Sequence, residues 1–280
     1  MSNMNVESSM AKLEEARQLE SVQFRLERAL KEADDRLQAY QDDIQSQKEY
    51  LWNSRDEMDH IEKISARESI QQAVTTGEFV LDQRKRLVKL RQSPYFGRFD
   101  FRMSGNEQPH PVYIGVHHFY DEIDKENVVY DWRAPIASLF YDYETGPASY
   151  QAPEGPVAGD IELKRQFRIR NGQIELMIDS AVNVVDDVLQ DELGRATDDG
   201  MKNIVATIQR DQNAIIRNEH AKTLIIQGVA GSGKTSIALH RIAFLLYRFK
   251  DTLSSEDILL ISPNSVFADY ISNVLPELGE

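Results

Sequence analysis

The first 92 residues contain no proline and only one glycine, Gly77. Because proline and glycine are the residues that most disfavour helix interiors, this stretch favours long uninterrupted helices. Apolar or long side chains recur at alternating intervals of three and four residues from Ala16 to Leu51, which is the heptad pattern of a coiled coil. Charged residues fill the positions between them, as a solvated helix face requires. The pattern predicts a helical arm.

The heptad pattern weakens over residues 53–60 and then resumes. Two heptad segments with a weak middle predict an antiparallel α-helical coiled-coil hairpin over residues 1–92, and its first helix would extend about 60 Å at 1.5 Å per residue. A dimeric coiled coil and a single long helix are the alternatives. The predicted seam of the second helix comprises Ile70, Val74, Gly77, Leu81, Arg84 and Val88.

Three acidic residues, Asp56, Glu57 and Asp59, cluster where the hairpin should turn. One interpretation is that these carboxylates bind a partner. The other is that they form a solvated acidic turn, since charge clusters usually mark exposed surface.

Residues 93–180 have a different character. Ser93-Pro94 ends the helical pattern, because the residue before a proline is disfavoured in a helix. Short alternating runs follow and predict an antiparallel β-rich region, in which Asn171-Gly172 is a strong hairpin signal. Proline and glycine crowd residues 146–159, which predicts an irregular loop. The predicted strands are Tyr95–Met103, Val112–Tyr120, Val128–Trp132, Ser138–Tyr143 and Glu162–Asp179.

Residues 181–280 alternate between amphipathic and apolar extended segments. The order strand–helix–strand–helix near the end is typical of an α/β domain with a parallel sheet. The predicted helices are 181–193, 202–217, 235–249 and 265–275, and the predicted buried strands are 223–227 and 258–262.

One motif in this last region carries chemistry. Residues 228–235 match G-x-x-x-x-G-K-[ST], between a predicted strand and a predicted helix. Glycines let the backbone fold around phosphate, and amides at a helix N-terminus favour anions. Lys234 would add a positive charge, and the Thr235 hydroxyl would bind Mg²⁺; these two are the predicted catalytic residues. The predicted nucleotide-binding residues here are Gly228, Val229, Ala230, Gly231, Ser232, Gly233, Lys234, Thr235 and Ser236.

A glutamine upstream of the loop is a candidate for reading the base. Gln212 lies 22 residues before Lys234, and a glutamine amide pairs bidentately with adenine. Gln209 is the competing candidate. Asp131-Trp132-Arg133 is interpreted as a structural turn with a packed tryptophan, with an active Asp–Arg pair as the alternative.

Composition excludes several classes of function. The chain has no cysteine, so disulfides, thiolate metal sites and cysteine nucleophiles are excluded. The net charge is −14, of which residues 93–280 carry −11, and this argues against a nucleic-acid coat or a DNA-tracking motor with a basic groove. No apolar run approaches the roughly 18 residues of a membrane span. We expect a cytoplasmic protein without membrane partners.

The phosphate motif, Gln212 and the segment 235–247 resemble superfamily 1 helicases of the UvrD/Rep type, and 258–264 resembles their next motif. The coiled-coil start, Ser93–Phe101, Tyr130–Ile136 and 263–280 narrow the resemblance to the HelD family.

The resemblance implies an ATP-driven factor that binds RNA polymerase and releases it from nucleic acid. It implies ATP and Mg²⁺ as cofactors, Gln212 rather than Gln209 as the adenine reader, and insertion of the hairpin into a polymerase channel. We expect a monomer whose residues 181–280 form the first part of a P-loop NTPase domain. This RecA-like domain would be incomplete, cut after its second parallel strand and helix, so that it binds ATP weakly without turnover. The alternatives are a UvrD/Rep-type 3′–5′ DNA helicase in repair, and a coiled-coil adaptor with a vestigial nucleotide site.

Overall fold

The computed structural model describes residues 2–54, 58–179, 208–229 and 231–261, with side chains from residue 9 onward. The described residues form two compact units. The first unit contains the residues up to 94 with 121–124 and 169–174, and the second contains the others. The predicted division into 1–92, 93–180 and 181–280 stays a prediction. Several predicted features lie outside the described residues: Asp56, Glu57, Ala230, and the helices 181–193 and 265–275.

The described residues contain five α-helices and seven strands, with short 3-10 turns at Pro135–Ala137 and Ser255–Asp257. The helices are α1 (Ser2–Asn53), α2 (His60–Gln92), α3 (Ser138–Asp142), α4 (Arg210–Ile216) and α5 (Lys234–Arg248). The strands are β1 (Gly97–Met103), β2 (His110–Gly115), β3 (Phe119–Asp121), β4 (Glu126–Asp131), β5 (Gly146–Ala152), β6 (Gly155–Arg170) and β7 (Gln173–Asp179).

Helices α1 and α2 pack against each other in the first unit. Arg84 Nε lies 2.5 Å from Asp34 Oδ1, and a side chain at Gly77 would sit 4.0 Å from Tyr40 Cβ. Higher numbers on α2 therefore meet lower numbers on α1, so the two helices run antiparallel. Their buried apolar residues are Leu19, Val22, Leu26, Leu30 and Ala33 on α1, and Ala73, Val80, Leu87 and Leu90 on α2.

The predicted seam of α2 is partly wrong. Val80 and Leu87 are buried, whereas the predicted Leu81 and Val88 are 40% and 38% exposed. The sequence places two apolar residues side by side at each of these points, and neighbours on a helix point about 100° apart. Contact with α1 decides which member of each pair is buried.

Two β-turns pack on α1 within the same unit. Arg28 Nη2 lies 2.6 Å from Asp121 Oδ2 at the end of β3 and 3.1 Å from Asp124 Oδ2 in the β3–β4 turn. Gln23 Nε2 donates to the carbonyl of Gly172 at 2.6 Å, and the amide of Gly172 donates to the carbonyl of Gln92 at 3.0 Å. Charged and amide side chains therefore attach the base of the helical pair to both turns.

The strands form a mixed sheet of order β3-β4-β2-β1-β6-β5, with β7 paired to β6. Strand β1 is antiparallel to β2 and β6, but β2 and β4 are parallel, with Ile114 opposite Tyr130. The prediction of a purely antiparallel region is therefore wrong. Strand β3 returns the chain so that β4 runs in the same direction as β2, which a reading of single strands does not reveal.

Two local predictions in this region also fail. Residues 138–142 form helix α3 instead of a strand, directly after Pro135 opens a 3-10 turn. Three consecutive residues of α3, Leu139, Phe140 and Tyr141, are buried, so burial there does not follow the two-residue period of a strand. Residues 146–159 form β5 and the start of β6 instead of a loop, because pairing between these strands satisfies their backbone.

The predicted hairpin at Asn171-Gly172 is confirmed. Both residues have positive φ, 49° and 71°, and they join β6 to β7. A two-residue turn with positive φ at both positions matches the twist of the flanking strands.

No strand forms at 223–227 or at 258–261, the described part of the predicted strand 258–262; residues 223–229 and 258–261 have no regular structure. Ile225 is 87% exposed and Leu259 is 83% exposed. An extended segment becomes a strand only when a neighbour satisfies its backbone, and none does so in the part of the chain that the structure describes. The predicted helix after the loop is confirmed as α5. The parallel P-loop sheet stays a prediction.

No helix among the described residues is long and apolar enough to cross a membrane.

Candidate functional site

The loop before α5 is built around glycines in left-handed backbone conformation. Gly231 has φ 82° and Gly233, the residue that precedes the helix, has φ 78°. A side chain at either position would be strained, since residues with a Cβ rarely adopt this conformation. At Gly228 a Cβ would lie 2.6 Å from Ser232 Oγ, a contact that rotation of the serine side chain can relieve. The backbone conformation therefore requires glycine at two positions of the motif, 231 and 233.

Lys234 folds back over this loop. Its ammonium donates to the carbonyl of Val229 at 2.6 Å and to the carbonyl of Gly228 at 2.9 Å, and it lies 3.5 Å from Ser232 Oγ. Lys234 is also the first residue of α5, where no side chain among the described residues caps the helix. The first-turn amides and the lysine charge thus occupy one end of the helix, which favours an anion.

The two residues after Lys234 differ in exposure. Thr235 is half-buried, while Ser236 is buried. The carbonyl of Ser236 accepts a hydrogen bond from Nδ1 of His240, with 2.7 Å between nitrogen and oxygen. Burial lowers the pKa of His240 to about 4, so the imidazole is neutral at pH 7. The first two turns of α5 therefore carry no ionised histidine.

The two candidate glutamines cap helix α4 together. Gln209 is the N-cap residue, and its backbone amide donates to Gln212 Oε1 at 3.2 Å. The Gln209 side chain in turn accepts from the backbone amide of Gln212. This reciprocal cap orients Gln212, which is half-buried, whereas Gln209 is exposed.

No group of three or more His, Cys, Asp or Glu side chains in the described ranges has an arrangement that would hold a metal ion. Of the predicted partner-binding residues, only Asp59 is described. It caps α2: Oδ1 accepts from the amide of Glu62 at 2.8 Å, and the Glu62 side chain accepts from the amide of Asp59 at 3.0 Å.

A buried polar network lies at the end of β4. Asp131 and Arg133 form a two-point ion pair, with both N–O distances 2.8 Å, and their side chains are only 3% and 5% exposed. Asp131 Oδ1 also accepts from the backbone amide of Arg133 at 2.8 Å. Trp132 between them is fully buried. The interpretation of this segment as a structural turn agrees with this geometry.

Arg217, the C-cap residue of α4, is the member of this network that the sequence did not reveal. Nη2 donates to the carbonyl of Trp132 at 2.5 Å, and Nη1 lies 3.2 Å and 3.3 Å from the carbonyls of Arg133 and Ala134. Nε donates to Asn213 Oδ1 at 3.0 Å. An arginine at a helix end ordinarily indicates interaction with the helix dipole, so the sequence contains no signal for this contact.

Helix α5 contributes a face of rings to the same network. The Arg133 guanidinium lies 4.7 Å from the centre of the Tyr247 ring, and that of Arg217 lies 5.2 Å from the Phe244 ring. The Trp132 and His240 rings are 5.6 Å apart, tilted at 64°. Because these contacts are on three successive turns of α5, they fix the second half of the helix that follows the loop.

Arginine side chains also join α4 to α5 directly. Arg241 on α5 donates to the carbonyls of Ile215 and Ile216 at 2.9 and 3.4 Å, at the C-terminal end of α4. Asn213 donates to Asp142 of α3 at 2.7 Å. Burial lowers the pKa of Arg217, and it raises the pKa of the nearby Tyr141 hydroxyl, which is fully buried. The structure thus connects the helix carrying Gln212 with the helix carrying Lys234 through desolvated polar groups.

A family model described as "DNA helicase IV HelD, N-terminal domain" matches residues 13–198. The match covers the helical pair and the sheet, and it ends before Gln212 and the phosphate motif. No curated protein matches the chain. Since the matched segment is more than half of the 280 residues, the chain belongs to the family of HelD N-terminal domains.

Proposed function

We propose that this chain is the ATP-binding N-terminal portion of a HelD-like helicase-family ATPase that binds RNA polymerase and releases it from nucleic acid. The observation that carries the ATP-binding part is the loop geometry. Two glycines with left-handed backbone precede α5, and the Lys234 ammonium lies on the loop carbonyls at the start of that helix.

The residues of the loop fit a nucleoside triphosphate and its Mg²⁺. The first-turn amides of α5 lack a side-chain cap among the described residues, so they are free to meet phosphate oxygens. Lys234 would exchange two carbonyl contacts for β- and γ-phosphate oxygens. Thr235 would hold Mg²⁺ through its hydroxyl, and the ion would screen the phosphate charge. Gln212 would read the adenine edge, after giving up its contact with the amide of Gln209.

The arm supports the proposed partner. Helices α1 and α2 run antiparallel, and we propose that they form a coiled-coil hairpin that enters a polymerase channel. Near the turn, Tyr50, Trp52 and Ile61 are 61%, 71% and 77% exposed, although they are large and apolar. Exposed apolar side chains together with acidic ones suit a protein surface better than a phosphate backbone. Such a partner places the protein in the cytoplasm.

Nucleotide binding tests the first part of the proposal. We expect the 280-residue chain to bind Mg²⁺-ATP in isothermal titration and Lys234→Ala to abolish binding. Lys222→Ala is the matched control, because Lys222 is an exposed lysine outside the motif and its loss changes the net charge equally. Loss of binding in the control, or retention of binding in Lys234→Ala, would contradict the proposed site.

Polymerase capture tests the second part. We expect the chain to retain purified RNA polymerase, and the triple variant Asp56→Asn, Glu57→Gln, Asp59→Asn to retain less. Asparagine is as good a helix cap as aspartate, so this variant removes charge without removing the cap of α2. Equal capture by both proteins would exclude a role for the acidic turn, and no capture by either would reject the partner.

A DNA helicase is the second candidate function, because the matching family is described as DNA helicase IV. A UvrD/Rep-type enzyme would bind single-stranded DNA, and its affinity would fall steeply with salt. We expect no such binding from a chain with a net charge of −14. Tight, salt-sensitive binding of an oligothymidylate would favour the helicase over the polymerase factor.

A further inference from the structure

We infer that Arg217 is a positioning residue for nucleotide recognition, which sets the direction of the helix carrying Gln212 relative to the helix carrying Lys234. The inference rests on the proposed ATP site. It concerns the relation between the two ends of that site, adenine and phosphate, and not the phosphate loop itself.

Two arginines hold the C-terminal end of α4 and attach it to different elements. Arg241 reaches from α5 to the carbonyls of Ile215 and Ile216, which attaches this end of α4 to α5. The Arg217 guanidinium attaches the same end to the turn after β4, through the carbonyls of Trp132, Arg133 and Ala134. A third contact joins Asn213, the residue after Gln212, to Asp142 of α3, and Arg217 Nε binds the same asparagine. Arg217 therefore acts on α4 both at its end and beside Gln212.

The Arg217 guanidinium also contacts two further side chains, those of Asn213 and Phe244. Asn213 Oδ1 accepts from Arg217 Nε, and the Phe244 ring of α5 lies 5.2 Å from the guanidinium carbon. Asn213 is itself bound to Asp142 at 2.7 Å. All three nitrogens of the planar guanidinium thus donate hydrogen bonds, a geometry that a lysine ammonium does not reproduce.

The distance along α4 between Arg217 and Gln212, the proposed adenine reader, is short. Gln212 lies five residues before Arg217, which is about 7.5 Å along a helix axis. Loss of the Arg217 contacts releases the C-terminal end of α4 and one side of Asn213, and this should displace Gln212, while the loop at the N-terminus of α5 keeps its own contacts. Recognition of adenine should weaken, and recognition of phosphate should not.

The test compares two ligands that share the phosphate chain. Binding of Mg²⁺-ATP and of Mg²⁺-tripolyphosphate to the 280-residue chain is measured by isothermal titration for wild type and Arg217→Lys. We expect the variant to lose about tenfold in affinity for ATP and to bind tripolyphosphate unchanged. Arg248→Ala is the matched control, because Arg248 also joins α5 to the segment after α4, through a pair with Glu219 that is 51% and 29% exposed.

Circular dichroism checks that each variant is folded. Phe244→Leu is a second variant, which removes the ring beside the Arg217 guanidinium but keeps an apolar side chain. We expect it to shift the ratio of the two affinities in the same direction. Unchanged ATP affinity in Arg217→Lys, or an equal loss for both ligands, would overturn the inference and leave the proposed site intact. Failure of the wild type to bind either ligand would instead overturn the proposed site and the inference together.

Discussion

The same kind of ion pair occurs in both units under opposite conditions. In the helical arm Arg84 and Asp34 are 39% and 52% exposed, whereas in the sheet unit Arg133 and Asp131 are 5% and 3% exposed. Water competes for the first pair and not for the second. The stability of the arm therefore depends on its buried apolar residues. The stability of the polar network at the end of β4 depends on each buried charge having its partner.

The two tryptophans allow the units to be followed separately. Trp132 is fully buried in the sheet unit, and Trp52 is 71% exposed in the arm. In a Trp52→Phe background, fluorescence reports on the sheet unit, while far-ultraviolet circular dichroism is dominated by the two long helices. Fluorescence therefore measures variants of the sheet unit, and circular dichroism measures variants of the arm.

The largest effect is expected for Asp131→Ala. This change leaves the Arg133 guanidinium buried without its carboxylate, and breaking one partner of a buried pair costs about 3–5 kcal/mol. Urea denaturation followed by Trp132 fluorescence should show this loss in the free energy of unfolding. The double change Asp131→Leu, Arg133→Met removes both charges and should recover part of it; no recovery would mean that the backbone contacts of the turn dominate.

Acid should destabilise the sheet unit through His240. Its pKa falls from 6.5 to about 4 on folding, so the unfolded chain takes up a proton first as the pH drops. The stability from this group is complete above pH 6.5 and is lost as the pH falls toward 4, with a limit of about 3 kcal/mol. His240→Gln should lack this component between pH 7 and 4.5. If His240→Gln shows the same pH dependence of stability as the wild type, other titratable groups cause it.

Leu26→Ala should destabilise the arm by about 2 kcal/mol, because the side chain is fully buried. Thermal unfolding followed by circular dichroism measures this change. Leu13→Ala is the control, since Leu13 is on the same helix but 54% exposed, and we expect its effect to be near zero. Equal losses of stability in Leu26→Ala and Leu13→Ala would mean that Leu26 is not part of the buried apolar face of α1.

Asp59→Ala should cost about 1 kcal/mol, because it removes the side-chain acceptor for the Glu62 amide at the start of α2. Asp59→Asn should preserve stability while removing the charge. If both variants are equally destabilised, the charge matters more than the cap.

The smallest effect is expected for Asp34→Ala, at about 0.5 kcal/mol and reduced further by added salt. Set beside Asp131→Ala, it measures directly how burial changes the contribution of an Arg–Asp pair. A loss as large as that of Asp131→Ala would mean that the contrast between the two units is wrong.

Sequence reasoning succeeded where one local rule decides the structure. The heptad spacing and the lack of proline predicted two long helices with a break near residues 53–60, and Asn171-Gly172 predicted a hairpin. The phosphate motif predicted a turn and the helix that follows it, because glycines with left-handed backbone and a helix start are local properties.

Sequence reasoning failed where partners distant in the chain decide. Residues 138–142 are a helix because they are inserted into a core, residues 146–152 are a strand because β6 pairs with them, and β4 is parallel to β2 because β3 intervenes. On α2, contact with α1 selects Val80 and not Leu81.

The sequence by itself therefore determined the elements whose causes lie within a few residues: the helical arm, the hairpin turn, and the glycines and lysine of the loop. Only the tertiary structure brought Asp131, Arg133 and Arg217 together at the end of β4. Arg217 is 84 residues beyond Arg133 in the chain, and each is an ordinary surface type of residue until both are desolvated. Burial and long-range pairing are properties of the folded chain, and periodicity along the sequence does not record them.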